Sequence, residues 1–130
     1  INTNSKYFKK KSLLLEFVGK KNFFSEVPIN QITLSDYIHQ KKIQKIDFLK
    51  IDTEGYEFNV LLGLRKDLSK VSFIMFEHHY HDMLIKNYKF SDINKVLTEN
   101  NFQQIYKYKM AFRKTFEYIY VNKKINISNE

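Results

Sequence analysis

Apolar and polar positions divide the chain into a weakly patterned opening, residues 1–30, and a strongly patterned remainder. In the opening, Ser12 to Val18 is expected as a strand and Val27 to Ile32 as another. Pro28, which has no N–H to give a ladder, confines the second to an edge or a strand start. Ser35 precedes Asp36-Tyr37-Ile38 and is the expected N-cap of a short helix running to about Lys42.

From Ile46 the pattern sharpens. Ile46-Asp47-Phe48-Leu49-Lys50-Ile51-Asp52 carries apolar residues on both alternation faces, as an interior parallel strand covered by helices would. Thr53-Glu54-Gly55 breaks that pattern, and Tyr56, Val60, Leu61, Leu64 and Leu68 then fall on one helical stripe. Val71 to Phe76 reads as a second buried strand closed by Glu77, followed by a polar loop from His78 to Lys89. Ser91 is the expected cap of a helix over Asp92 to Asn100, with Ile93, Val96 and Leu97 inward and Asn100-Asn101 as its stop. Phe102 to Lys109 and Phe116 to Val121 predict an antiparallel hairpin, and the tail from Asn122 is expected to fray.

Strand, helix, strand, helix, hairpin is an α/β order, which implies parallel strands with helices packed on their faces. A single domain over residues 1–130 is expected at this length. Chemistry in such sheets gathers just beyond the C-terminal ends of the strands. Asp52 and Glu54 stand at one such end, and Glu77, His78 and His79 at the next, so that both groups are expected to share one cleft.

The chain is 43% hydrophobic and 16% aromatic, enough apolar surface to offset the entropy of ordering. With no cysteine there is neither a disulfide framework nor a thiolate metal site. The start, Ile1 to Lys11, is lysine-rich without the apolar run of a signal peptide, and no run approaches the roughly 20 residues of a membrane span. A cytoplasmic location is therefore expected. The absence of an initiator Met suggests a start inside a longer protein. The net charge of +8 admits a polyanion partner, but the lysines are scattered in short groups and just two basic residues, Arg65 and Arg113, are arginine. Solvated lysine faces describe that scatter better, and nucleic acid is not the expected partner.

Asp52-Thr53-Glu54-Gly55-Tyr56-Glu57 sets three carboxylates at a strand-to-helix turn. Glu54 and Glu57 also suit a helix's first turn, where the dipole favours acids. Asp52 still belongs to the strand pattern, and a carboxylate there needs partners or a cleft mouth. Gly55 suits a tight turn or a close backbone approach. Glu77-His78-His79-Tyr80-His81 gathers three of the four histidines. They are open to three readings: a general base for a hydroxyl proton, a metal ligand, or plain loop surface. No helix-borne HExxH pattern supports metal, so none is expected. Lys50 is expected to lay its stem along apolar surface with its head at a carboxylate. Met110-Ala111-Phe112-Arg113 is either a plain loop or a cover over an acceptor pocket.

At Ile46 to Glu57, with Val60-Leu61-Leu62-Gly63 following, the chain resembles the FkbM methyltransferase family. That family repeats an apolar strand, Lys-Ile-Asp, a variable residue, Glu-Gly, a variable residue and Glu, then a helix ending near Leu-x-Gly. Ile32 to Ile38 resembles the segment preceding it, and Phe76-Glu77-His78 the exit of the next strand; the resemblance spans roughly residues 27–121. It implies a partial class I methyltransferase sheet, Rossmann-like and mostly parallel with a C-terminal antiparallel hairpin. It implies S-adenosylmethionine as methyl donor and a hydroxyl of a sugar, glycan or natural product as acceptor. By position Asp52 and Glu54 would line the cleft near the donor methyl. Glu77 and a neighbouring histidine, His78 or His79, would lie on the acceptor side.

The departure from the family lies upstream. Its cofactor strands carry a glycine-rich loop, whereas Gly19, Gly55 and Gly63 are the glycines here and form no such loop. The N-terminal cofactor-binding strands are expected to be missing, leaving the Ile46 strand a bare apolar edge and this fragment inactive alone. Two other functions compete: a non-catalytic basic α/β binding module, and a metal-dependent hydrolase using Asp52, Glu54 and the histidines.

Overall fold

The computed structural model describes residues 4–17, 27–82 and 84–124. Its elements are α1 (Lys6–Phe17), α2 (Leu34–Gln40), β1 (Ile46–Ile51), α3 (Glu57–Leu64), β2 (Val71–His79), α4 (Phe90–Glu99), β3 (Phe102–Lys109) and β4 (Thr115–Asn122). A 3-10 turn, Arg65–Lys70, links α3 to β2.

The opening of the chain departs from expectation. Ser12 to Phe17 is helical, not a strand, and Val18 lies outside the described residues. The helix starts where the Ser5 hydroxyl accepts from the Phe8 N–H at 3.1 Å, and straight-chain Lys, Leu and Glu then suit helix. Val27 to Ile32 forms no strand either. Pro28 lacks a donor and among the described residues no strand pairs with this segment, whose Val27, Ile29 and Ile32 are exposed. The cap of α2 is Thr33, not Ser35: its hydroxyl accepts from the Asp36 N–H at 3.0 Å while Ser35 is buried.

The four-stranded sheet has the order β1-β2-β4-β3. β1 pairs parallel to β2, whereas β4 pairs antiparallel with both β2 and β3. The sheet is thus mixed rather than mostly parallel among the described residues. Helical crossovers keep β1, β2 and β3 in one direction, but the hairpin folds β4 back between β2 and β3. The sequence marks the hairpin; it does not say which arm enters the sheet.

That insertion also lengthens β2. Glu77, His78 and His79 find partners in Glu117, Phe116 and Thr115, so the two histidines are strand residues instead of the start of a loop. Asn122 likewise belongs to β4: it is buried and its side-chain amide donates to the Val71 carbonyl at 3.1 Å. Residues 125–130 of the expected frayed tail lie outside the described residues.

Period-two alternation gives β2 two different faces. Ile74, Phe76 and His78 point to the helices, where Ile51, Leu61, Leu64, Ile93, Leu97, Tyr118 and Tyr120 complete the core. Phe76, Phe90 and Tyr118 stack there, with Phe90 and Tyr118 centroids 4.3 Å apart. The expected helical stripe holds for Leu61, Leu64 and Leu68, all fully buried, whereas Tyr56 is the exposed N-cap of α3. α4 begins at Phe90 and not beyond Ser91, because the Asp92 carboxylate accepts from the Lys89 N–H at 2.7 Å. Phe73, Met75, Glu77 and His79 occupy the opposite face. β1 is an edge of this sheet, and its Phe48, on that same face, is 53% exposed.

Candidate active site at the exits of β1 and β2

The β1 exit is a turn wrapped around one carboxylate. Glu57, the first residue of α3, is 1% exposed, and its Oε1 accepts from the Gly55 N–H at 2.9 Å and the Thr53 N–H at 3.2 Å. The Thr53 hydroxyl adds a contact at 3.3 Å, and the Tyr88 hydroxyl donates to Oε2. Burial alone would raise the Glu57 pKa, but donation from Tyr88, Gly55 and Thr53 outweighs it and holds the group below its ordinary value. Glu57 is thus the anion that shapes the loop, a role a surface acid in a first helical turn would not have.

Wrapping the chain this tightly drives two successive residues into left-handed backbone, Glu54 at φ 50° and Gly55 at φ 103°. A Cβ on Gly55 would sit 3.2 Å from Leu84 Cβ and 3.3 Å from Lys86 Cγ. The glycine therefore lets the loop after β2 close on the turn after β1. Tyr88, from that same loop, ties the two exits together through Glu57.

Held there, Glu54 reaches towards the end of β2. His79 Nε2 lies 3.8 Å from Glu54 and 3.6 Å from Glu77, ion-pair separations longer than hydrogen bonds. The His79 side chain is 5% exposed and Glu77 14%, while Glu54 remains 66% exposed at the mouth. Burial raises the Glu77 pKa, and the Asp52 charge raises it further, opposed by His79. Asp52 is thus within electrostatic reach of Glu77, and it also takes the Lys50 ammonium at 3.3 Å. Asp52, Glu54, Glu77 and His79 form one group on the open face of the sheet.

His78 is not part of it. It alternates to the helix face, where it meets the rings of Tyr80, Tyr88 and Phe90. Burial, with the nearby Lys86 charge, lowers its pKa to about 4. His81 packs edge-on to His79, ring centroids 5.0 Å apart. Among the described residues, no three His, Asp or Glu side chains come together as a metal would need. The hairpin loop holds a fully exposed Phe112 in left-handed backbone. A separate hollow of about 720 Å³ lies between α2 and α3, lined by Ile32, Tyr37, Tyr56, Asn59 and Leu62, with none of the clustered acids.

A family model described as the methyltransferase FkbM domain matches residues 2–104. The chain belongs to the FkbM methyltransferase family. Every member of the acidic group lies within the FkbM match, as do Gly55, Glu57 and Tyr88. The match runs from α1 into β3, so β4, which supplies the partners of Glu77 and His79, follows it in the chain. No curated protein and no solved structure matches the chain. No helix among the described residues is long and apolar enough to cross a membrane.

Three residues that organise the site carry weak sequence signals. Tyr88 and Lys86 fall in an unpatterned stretch, and Glu57 by itself resembles any acid in a first turn. The signal for Glu57 is its place as the closing acid of the family motif, two residues after the glycine at the strand-to-helix junction.

Proposed function

We propose that this FkbM domain takes part in methyl transfer from S-adenosylmethionine to a hydroxyl oxygen of a sugar, glycan or natural product. When bound, S-adenosylmethionine supplies an electrophilic methyl on a positively charged sulfur. The donor set fits that charge: Asp52, Glu54 and Glu77 gather negative charge at two adjacent strand exits. Asp52 and Glu54 would face the sulfonium end, and Glu77 with His79 the acceptor.

The observation that carries the reading is the placement of His79 Nε2 between Glu54 and Glu77. A hydroxyl is a weak nucleophile until its proton has somewhere to go. His79 would receive that proton at Nε2, and the flanking carboxylates would stabilise the imidazolium formed. This requires the tautomer with hydrogen on Nδ1, the buried nitrogen that has no partner among the described residues. Gly55 and Glu57 do no chemistry in this scheme. They hold the Glu54 turn against the β2 exit, and rigid positioning supplies most of the rate in a displacement with a good leaving group.

Calorimetric titration of S-adenosylmethionine into the gene product tests the reading. A saturable heat that weakens in Asp52→Asn supports it, and the absence of any heat overturns it.

A further inference from the structure

A second hollow opens on the other side of His79. It encloses about 520 Å³, within the range of small-ligand sites. Two features set it apart. Its walls are aromatic: Tyr80, Tyr88 and Phe90 pack edge-on or tilted about His78, with centroid separations of 4.7–5.8 Å. Its cationic lining groups are Lys86 and Lys89, and among the described residues no carboxylate lines it.

The basic groups are underused. Lys86 Nζ donates to the His79 carbonyl and lies 5.6 Å from the Tyr88 ring, which leaves donors of its ammonium to spare. Burial pushes the Lys86 pKa down, with Glu57 behind the wall opposing. An anion arriving in the hollow would compensate that lost hydration. Lys89 is exposed at the N-terminus of α4, a ten-residue helix whose dipole adds to the same positive field. His78, 3% exposed, has an Nδ1 without a partner among the described residues. Burial, with His79 and Lys86 adding, holds the His81 pKa below its ordinary value against the opposing charges of Asp82 and Glu54, so the positive character belongs to the lysines.

We propose that this hollow binds a ring-bearing acceptor with an anionic substituent: the ring against the aromatic walls and the anion at Lys86 and Lys89, with His79 the lining residue that the hollow shares with the acidic group. The substrate class is thus an acidic sugar or an aromatic acid in place of a neutral glycoside. The proposal rests on methyl transfer as the site's function for its use, but not for the binding itself, which needs no methyl donor.

Two probes that differ in one group test it: 4-nitrophenyl glucuronide and 4-nitrophenyl glucoside, each titrated into the chain by ligand-observed NMR without S-adenosylmethionine. The glucuronide is expected to bind about tenfold more tightly, the size of one charge-assisted contact. The preference should collapse in Lys89→Gln, an exposed position where circular dichroism should show the fold unchanged, and in Lys86→Gln. Equal affinities, no binding of either probe, or an undiminished preference in Lys89→Gln overturns the proposal. Selective glucuronide binding by a protein that gives no heat with S-adenosylmethionine would keep the hollow and discard the methyltransfer reading.

Discussion

The hydroxyl of Tyr88 donates to the buried carboxylate of Glu57, joining the loop after β2 to the turn after β1. Two strand exits that would otherwise move separately are thereby fixed to one anion. The acidic group at the cleft depends on that bond for its geometry while containing neither residue.

Replacing Glu57 with Gln should cost about 1–3 kcal/mol of stability, because the amide keeps one accepting oxygen but gives up the charge its buried donors face and the second oxygen that accepts from Tyr88. Urea denaturation measures this, and a loss below about 0.5 kcal/mol would exclude Glu57 as the organiser of the turn. The pH dependence follows from sign. The folded pKa is held below the ordinary 4.5, so the stabilisation is complete above that value and disappears as pH falls through the folded one. Asp67 acts in the same direction, held below its ordinary 3.8 chiefly by Lys70, with His39 adding. The wild-type urea midpoint should therefore drop below about pH 4.5, and Glu57→Gln should flatten that drop.

Glu77 has the opposite sign. Its folded pKa is raised by burial and by Asp52, so its charge opposes folding once the pH exceeds the ordinary 4.5 and more so through the folded value. Glu77→Gln should raise the melting temperature at pH 7, with the gain shrinking towards pH 4. Calorimetric melts that show the gain growing with acid would contradict the assignment.

Gly55→Ala forces a side chain into φ 103° and against Leu84 and Lys86. About 1–3 kcal/mol of destabilisation is expected from the backbone alone. Hydrogen exchange should show the 84–88 loop loosened more than the sheet, and uniform protection across the chain would exclude the contact as its cause.

His79→Gln keeps a polar group of similar reach but cannot accept a proton near neutral pH. In the intact gene product, methyl transfer should slow by about a hundred- to ten-thousand-fold. The affinity for S-adenosylmethionine, measured by calorimetry, should stay within about twofold, since the proposed role puts the residue on the acceptor side. A rate within about threefold of wild type would exclude His79 as the base.

Periodicity alone indicates α4, whose Ile93, Val96 and Leu97 are buried on one face, and Leu61 and Leu64 of the α3 stripe, while runs of apolar and aromatic residues mark β1 and both arms of the hairpin, although β3 buries just Phe102. The motif from Ile46 to Glu57 likewise marks the β1 exit and the family. Where periodicity is weak the sequence misleads: Ser12 to Phe17 suits both a strand and a helix by composition, and the Ser5 cap decides. Val27 to Ile32 has strand residues but no strand beside it among the described residues.

The chemical groups and their place at two strand ends are legible along the chain. Which groups meet was decided by tertiary structure. Alternation along β2 sends His79 to Glu54 and Glu77 and its neighbour His78 to the aromatic walls, and that alternation continues to His79 because β4 inserts as a partner. A side chain's direction in a strand is set by pairing, and pairing joins residues far apart in the chain, so no local pattern around the histidines contains it.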